Sequence, residues 1–154
     1  MDVVQDTLNH IYSVRLLLYK ISSALLYRSA HHDESKLQSP EKELYEIWRP
    51  KLDSMDVDSD EYRDVLVQMG EGLKHHYAAN RHHPEHFESG LRGMNLVDVI
   101  EMVCDWHAAA GRRGQMVSMK WVGNRFFISE GEALYSIIQN TLELLSESRV
   151  SNSE

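Results

Sequence analysis

"VVQDTLNHIYSVRLLLYKISSALLYR", residues 3–28, decides the fold class. Apolar residues recur at Val4, Leu8, Ile11, Leu18 and Leu25, with Val14, Leu17 and Ile21 beside them. Steps of three and four residues line one face of a 3.6-residue helix, whereas a half-buried strand needs strict alternation. No Pro or Gly intervenes. The spacing predicts one long helix ending near "RSAHHDES", then a short helix or helical turn over residues 31–36.

The same reading extends outward. In "SPEKELYEIW", Ser39 is the expected N-cap, Pro40 the first helical residue and Glu41 part of the first turn, with Pro50 ending the helix. "LDSMDVDSD" is a polar, acidic connector. A further helix runs from Ser59 to about Arg81, weakened in its middle by Gly70 and Gly72. Pro84 disfavours helix at His83, so the chain should turn there. Asn95 is the cap of a helix from Leu96 to about Ala110, closed by Gly111. "SEGEALYSIIQNTLELLSES" is the last helix, with Ser129 as its cap. Between these, "MVSMKWVGNRFFIS" reads as helix and loop. Its Gly123-Asn124 pair also fits a two-residue hairpin turn, but everything around it is helical. The expectation is an all-α single-domain bundle of about five to seven helices over residues 1–148, with a frayed tail at 149–154.

Composition narrows the function classes. With 154 residues and 42% apolar content, one domain can bury a real core. A net charge of −8 argues against a nucleic-acid-binding protein, which needs a basic face. A small anionic substrate stays compatible, because a metal with a local Lys or Arg reverses the field inside a pocket. Cys104 is the single cysteine, so an intrachain disulfide is impossible and a reducing cytoplasm fits. The N-terminus lacks a basic region ahead of an apolar stretch, and no apolar run approaches the roughly 18–20 residues of a membrane span. A soluble cytoplasmic protein is expected, and a homo-oligomer is compatible with this composition.

Histidine is abundant, nine residues in all. His75, His76, His82, His83 and His86 form a tight internal cluster, and "HHDESK" at 31–36 supplies another pair. Divalent Zn, Mn, Fe, Co or Ni is held by neutral imidazoles and carboxylates, and a helical protein gathers such ligands from several helices. His10 lies on the flank shared by Val14 and Leu17, and Asp98, Glu101 and Asp105 fall at i, i+3 and i+7 on one helix. Singly, each has a plainer role: His10 as a core histidine, Asp105 as a solvated helix residue, Lys36 as a surface cation. His107 shares the Ile100–Cys104 face and suits packing. Cys104, on that face, reads as a buried thiol, and Trp106 as core.

The order His…His-Asp…His…His…Asp resembles the HD superfamily of metal-dependent phosphohydrolases, all-helical proteins named for an adjacent His-Asp pair. The combination "HHDESK…HHYAANRHHPEHF…EMVCDWHAA" also resembles a small uncharacterised HD-like family of phages and bacteria. The resemblance covers roughly residues 10–110 and implies cytoplasm of a bacterial or phage-infected cell. Residue by residue, it implies metal ligation by His10, His32, Asp33, His76, His83 and Asp105, with His75 and His82 as rivals within their pairs. Lys36 matches a lysine that faces the substrate phosphate. After His83 the chain reads "PEHFESG" where the cyclic-dinucleotide members carry Gly-Tyr-Pro, which argues against that substrate.

The implied activity is hydrolysis of a nucleotide, cyclic nucleotide or similar phosphoester by metal-activated water. A bound ion polarises the phosphoryl oxygen and lowers the pKa of its water toward about 7. If two ions bind, Asp33 would bridge them, with His10, His32 and Asp105 on one and His76 and His83 on the other. Mg²⁺ is a weaker fit because it prefers oxygen ligands. Lys36 would bind phosphate or the leaving group, and Glu34 or Glu101 would serve as base or outer-shell partner. Asn80, Arg81 and Arg112 are candidate substrate contacts, although Arg112 also suits a helix C-terminus. Three other readings fit less well. One is a non-enzymatic helical metal-binding or regulatory module, another an HD-type di-iron oxygenase. The third is a helical Mg-dependent nucleotide pyrophosphatase, which expects Glu-x-x-Glu pairs rather than histidines.

Overall fold

The computed structural model describes residues 2–147, so the tail at 149–154 lies outside the described residues. Among those residues it is all-α, with no strand. The helices are α1 (Val3–His31), α2 (Glu41–Leu52), α3 (Asp60–Ala79), α4 (Leu96–Arg112), α5 (Met119–Phe126) and α6 (Ala133–Glu147). Short 3₁₀ turns occupy Glu34–Leu37, Pro84–His86 and Gly90–Gly93. The chain divides into two compact units, with the division between His32 and Asp33. No described helix is long and apolar enough to cross a membrane.

The first unit is α1. The Asp2 carboxylate accepts from the Val4 and Gln5 amides and starts the helix, which then runs unbroken for 29 residues. None of its side chains is buried. Leu8, Ile11, Val14, Leu17 and Ile21 are exposed along it, and so is His10.

In the second unit, Val103 of α4, Val122 of α5 and Ile138 and Leu142 of α6 form a buried cluster. Trp106 packs on it and stacks on Phe126 at 4.9 Å, with Trp121 edge-on at 5.4 Å. This bears out the core reading of Trp106. Alongside, α2 packs on α3 at very close range: a Cβ on Gly72 would lie 2.1 Å from Leu44 Cδ1. Gly70 kinks α3 with φ 38° and ψ −109°, a conformation that only glycine adopts at low cost.

The α4 helix has clear end signals. Asn95 and Asp98 form a reciprocal capping box. At its other end, Gln115 N–H donates to Ala110 and Gly114 N–H to Gly111, with Gly114 at φ 67°. That is a Schellman closure. Gly111 therefore lies inside the helix, and Gly114 performs the role expected of it.

Other boundaries also shift. Pro40, not Ser39, precedes α2 and makes no side-chain cap. Pro50 lies inside α2, which continues to Leu52. A proline this near a helix end removes one late backbone bond and leaves the last turn intact. Ser129 does not cap α6: the Glu132 carboxylate accepts from its amide and hydroxyl, holding 129–132 as a turn. The segment 119–126 is helical, as preferred, with Gly123 and Asn124 inside α5.

Candidate metal centre

The last turn of α3 delivers His75 and His76. Asn80 is extended, its amide closing on His76 O, and so ends the helix before Arg81. His83 is extended as well, as its position before Pro84 requires. The chain therefore reverses, and His82 and His83 fold back over His76. His76 and His83 meet through this turn rather than along a shared helix face. Their Nε2 atoms are 2.8 Å apart, and the His82 and His83 rings lie 4.1 Å centroid to centroid.

Asp33 faces the histidines from the other side. Its backbone is left-handed, at φ 55°, a region that Asp tolerates better than most residues and that recurs at functional sites. Asp33 Oδ1 lies 3.5 Å from both His76 Nε2 and His82 Nε2, and Oδ2 accepts from Lys36 Nζ at 2.5 Å. Asp33, His76, His82 and His83 each offer one ligand atom, all within 4.8 Å of one another. Asp105 brings a carboxylate oxygen within 4.8 Å of an Asp33 oxygen. This group is positioned to hold a metal ion. Lys36 Nζ also sits 4.8 Å from the centre of the Tyr45 ring.

The electrostatics suit a cation. Burial pushes the His83 pKa down to about 3, with His82 and His76 adding to the effect. His76 is lowered too, first by burial and then by Lys36. Both are thus neutral at pH 7, the form that binds metals. The Tyr45 phenol is raised by burial first, then by Asp33 and Glu41.

Behind the histidines stand two carboxylates. Glu41 is fully buried, accepting from His75 Nδ1 at 2.6 Å, His76 Nδ1 at 2.8 Å and Ser35 Oγ at 3.0 Å. Glu101 Oε1 lies 3.2 Å from His82 Nδ1. Glu101 was expected as an outer-shell candidate. Glu41 and Tyr45 were not singled out, because in sequence they are ordinary residues of a helix start.

The chain belongs to DUF5662, a family of unknown function. The family model matches residues 1–147, a span that includes every residue of this cluster. No curated protein and no solved structure matches the chain.

In this DUF5662 chain the paired histidines separate clearly. His76 joins the cluster, whereas His75 is half-exposed and turned to Glu41. His82, expected only as a rival, joins it together with His83. His10 and His32 belong to the first unit, His32 as the residue that closes α1. Glu34 is exposed at the start of its 3₁₀ turn. Asn80 is buried, its amide donating to Ser35 Oγ and His76 O. Arg81 is engaged in two bonds to buried Asp98, at 3.1 and 3.0 Å. Arg112 pairs with Asp53 near the end of α4. His86 donates from Nδ1 to Tyr77 O. Cys104 is exposed, contrary to the buried thiol expected. The buried face of α4 runs through Met102, Val103 and Ala110, and a step of one residue, about 100°, carries Cys104 off it.

Proposed function

We propose that this chain is a metal-dependent phosphohydrolase acting on a nucleotide, cyclic nucleotide or similar phosphoester. The observation that carries this reading is the convergence of Asp33, His76, His82 and His83 with Lys36 on the far oxygen of Asp33. Three imidazoles and a carboxylate favour Zn, Mn, Fe, Co or Ni over Mg²⁺. Bound there, such an ion would supply Lewis-acid polarisation and a water acidic enough to attack near neutral pH. Asp105, beside Asp33, offers the carboxylate that a second ion would need.

The chain's own groups have separate tasks in this reading. The three histidines, two of them fully buried, keep the donor set dry and preformed. Lys36 is the cation that an incoming phosphate oxygen meets, on a partly exposed side chain that can leave Asp33 for the substrate. On a chain of net charge −8, an anionic substrate needs such a local positive site. The resemblance of the ordered His and Asp residues to HD phosphohydrolases supports the same chemistry, as it does a cytoplasmic location.

Elemental analysis of untagged protein, beside Asp33→Asn, is the test. About one or two equivalents of transition metal, lost in the variant, are expected, followed by turnover in a phosphoester panel with Mn, Co, Ni and Mg. Metal-free protein that takes up none of these ions while keeping full helicity would sink the reading and leave a non-enzymatic helical module in its place.

A further inference from the structure

We propose that Glu41 is a positioning residue that holds the His76 proton on Nδ1 and so presents the Nε2 lone pair to the cluster. The inference rests on the metal-site reading above. A carboxylate only accepts hydrogen bonds, so the nitrogen 2.8 Å from Glu41 Oε2 carries the hydrogen. A neutral imidazole has one N–H. Its Nε2 is then bare, and it is this atom that lies 3.5 Å from Asp33 Oδ1 and 2.8 Å from His83 Nε2. With His76 Nε2 bare, the 2.8 Å contact is one in which His83 Nε2–H donates, and a cation ligated by both nitrogens would take the place of that hydrogen.

Glu41 is held firmly enough to impose this choice. It is the first residue of α2, and α2 is locked on α3 by the Gly72–Leu44 approach. Ser35 Oγ donates to Oε2 and accepts from Asn80 Nδ2, so the hydroxyl hydrogen is directed at Glu41. Ser35 lies two residues beyond Asp33, and Asn80 four beyond His76, so one network ties both sides of the cluster. Full burial leaves the carboxylate–imidazole contact unscreened by water. His75 takes the other oxygen, Oε1, and is half-exposed. It serves as the control, because removing it leaves the Oε2–His76 bond in place.

The experiment reads two quantities on the full chain. The first is the tautomer of His76 in metal-free protein, from imidazole ¹⁵N shifts assigned with His76→Gln. The second is Co²⁺ affinity by competition with a chromophoric chelator. Wild type should show a single Nδ1–H tautomer. Glu41→Gln should mix the tautomers and weaken Co²⁺ binding by about 10–100-fold, the usual cost of losing such an outer partner, with helicity retained. His75→Ala should change neither. An Nε2–H tautomer in wild type overturns the proposal without any variant, which covers a Glu41→Gln protein that does not fold. Unchanged tautomer and affinity in a folded Glu41→Gln overturn it equally. Wild type that binds no Co²⁺ yet keeps a Glu41-dependent Nδ1–H tautomer supports the positioning role and sinks the metal-site reading instead.

Discussion

His76 and His83, seven residues apart, bring their Nε2 atoms to 2.8 Å across the turn that follows α3. Three imidazoles and a carboxylate within 4.8 Å make a donor set in which each member matters. His76→Gln, His83→Gln and Asp33→Asn should each weaken Co²⁺ binding by more than about 100-fold, beyond the 10–100-fold of an outer-shell loss. Titration calorimetry with Co²⁺ checks this. A variant retaining wild-type affinity removes that residue from the ligand set.

Lys36 separates metal binding from turnover. Its ammonium pairs with Asp33 Oδ2, the oxygen away from the histidines, and so competes with a metal for the charge of the same carboxylate. Lys36→Met should leave Co²⁺ affinity equal or higher. It should lower turnover of any phosphoester substrate by about 100-fold, the scale of losing one transition-state charge partner. Parallel calorimetry and steady-state kinetics test the split. Loss of metal without loss of catalytic constant would contradict it.

Gly70 should tolerate no side chain. At φ 38° and ψ −109°, alanine forces either strain or a straightened α3, and straightening would displace the His75–His76 turn. Gly70→Ala should cost about 1–3 kcal/mol, measured by chemical denaturation. A stabilised variant would show that the kink is not required.

The Arg81–Asp98 pair is expected to act on stability. Arg81→Met deletes two charge-assisted bonds to a fully buried carboxylate. It should cost about 2–3 kcal/mol and leave Co²⁺ affinity unchanged. A variant of wild-type stability with impaired turnover would instead place Arg81 at the substrate.

Alkaline pH should unfold the protein early. Burial raises the phenols of Tyr45 and Tyr62 and pushes Tyr77 up to about 12. A raised folded pKa means that stability is complete below the unfolded value near 10 and lost as pH rises through the folded value. Tyr77 alone accounts for something on the order of 2 kcal/mol across that window. Denaturation midpoints should fall from about pH 10 upward, and less steeply in Tyr77→Phe. A flat profile to pH 12 would refute this.

Local chemistry was legible along much of the chain. Periodicity marked every long helix, Asn95 and Ser59 marked two starts, and Pro84 marked the turn that brings His83 back. These follow from steric and hydrogen-bonding rules acting within a few residues. The misplaced ends at Gly111 and Ser129 lie where a neighbouring bond outweighs a residue's usual preference, whereas Pro50 falls so near the end of α2 that it removes only one late bond.

The choice within each histidine pair was not legible. His75 and His76 have the same local chemistry and both bond Glu41, yet packing buries His76 against the cluster and leaves His75 half-exposed. Cys104 sits one residue from the buried Val103, a difference that periodicity resolves poorly and packing resolves completely. By itself the sequence determined an all-helical chain and the residue types for a metal site, because helix spacing and donor chemistry are local properties. The tertiary structure alone decided that Asp33, His76, His82 and His83 converge, that Glu41 is buried behind them and that Arg81 belongs to Asp98. Those facts depend on which distant segments pack together, and no short stretch of chain encodes its own partner.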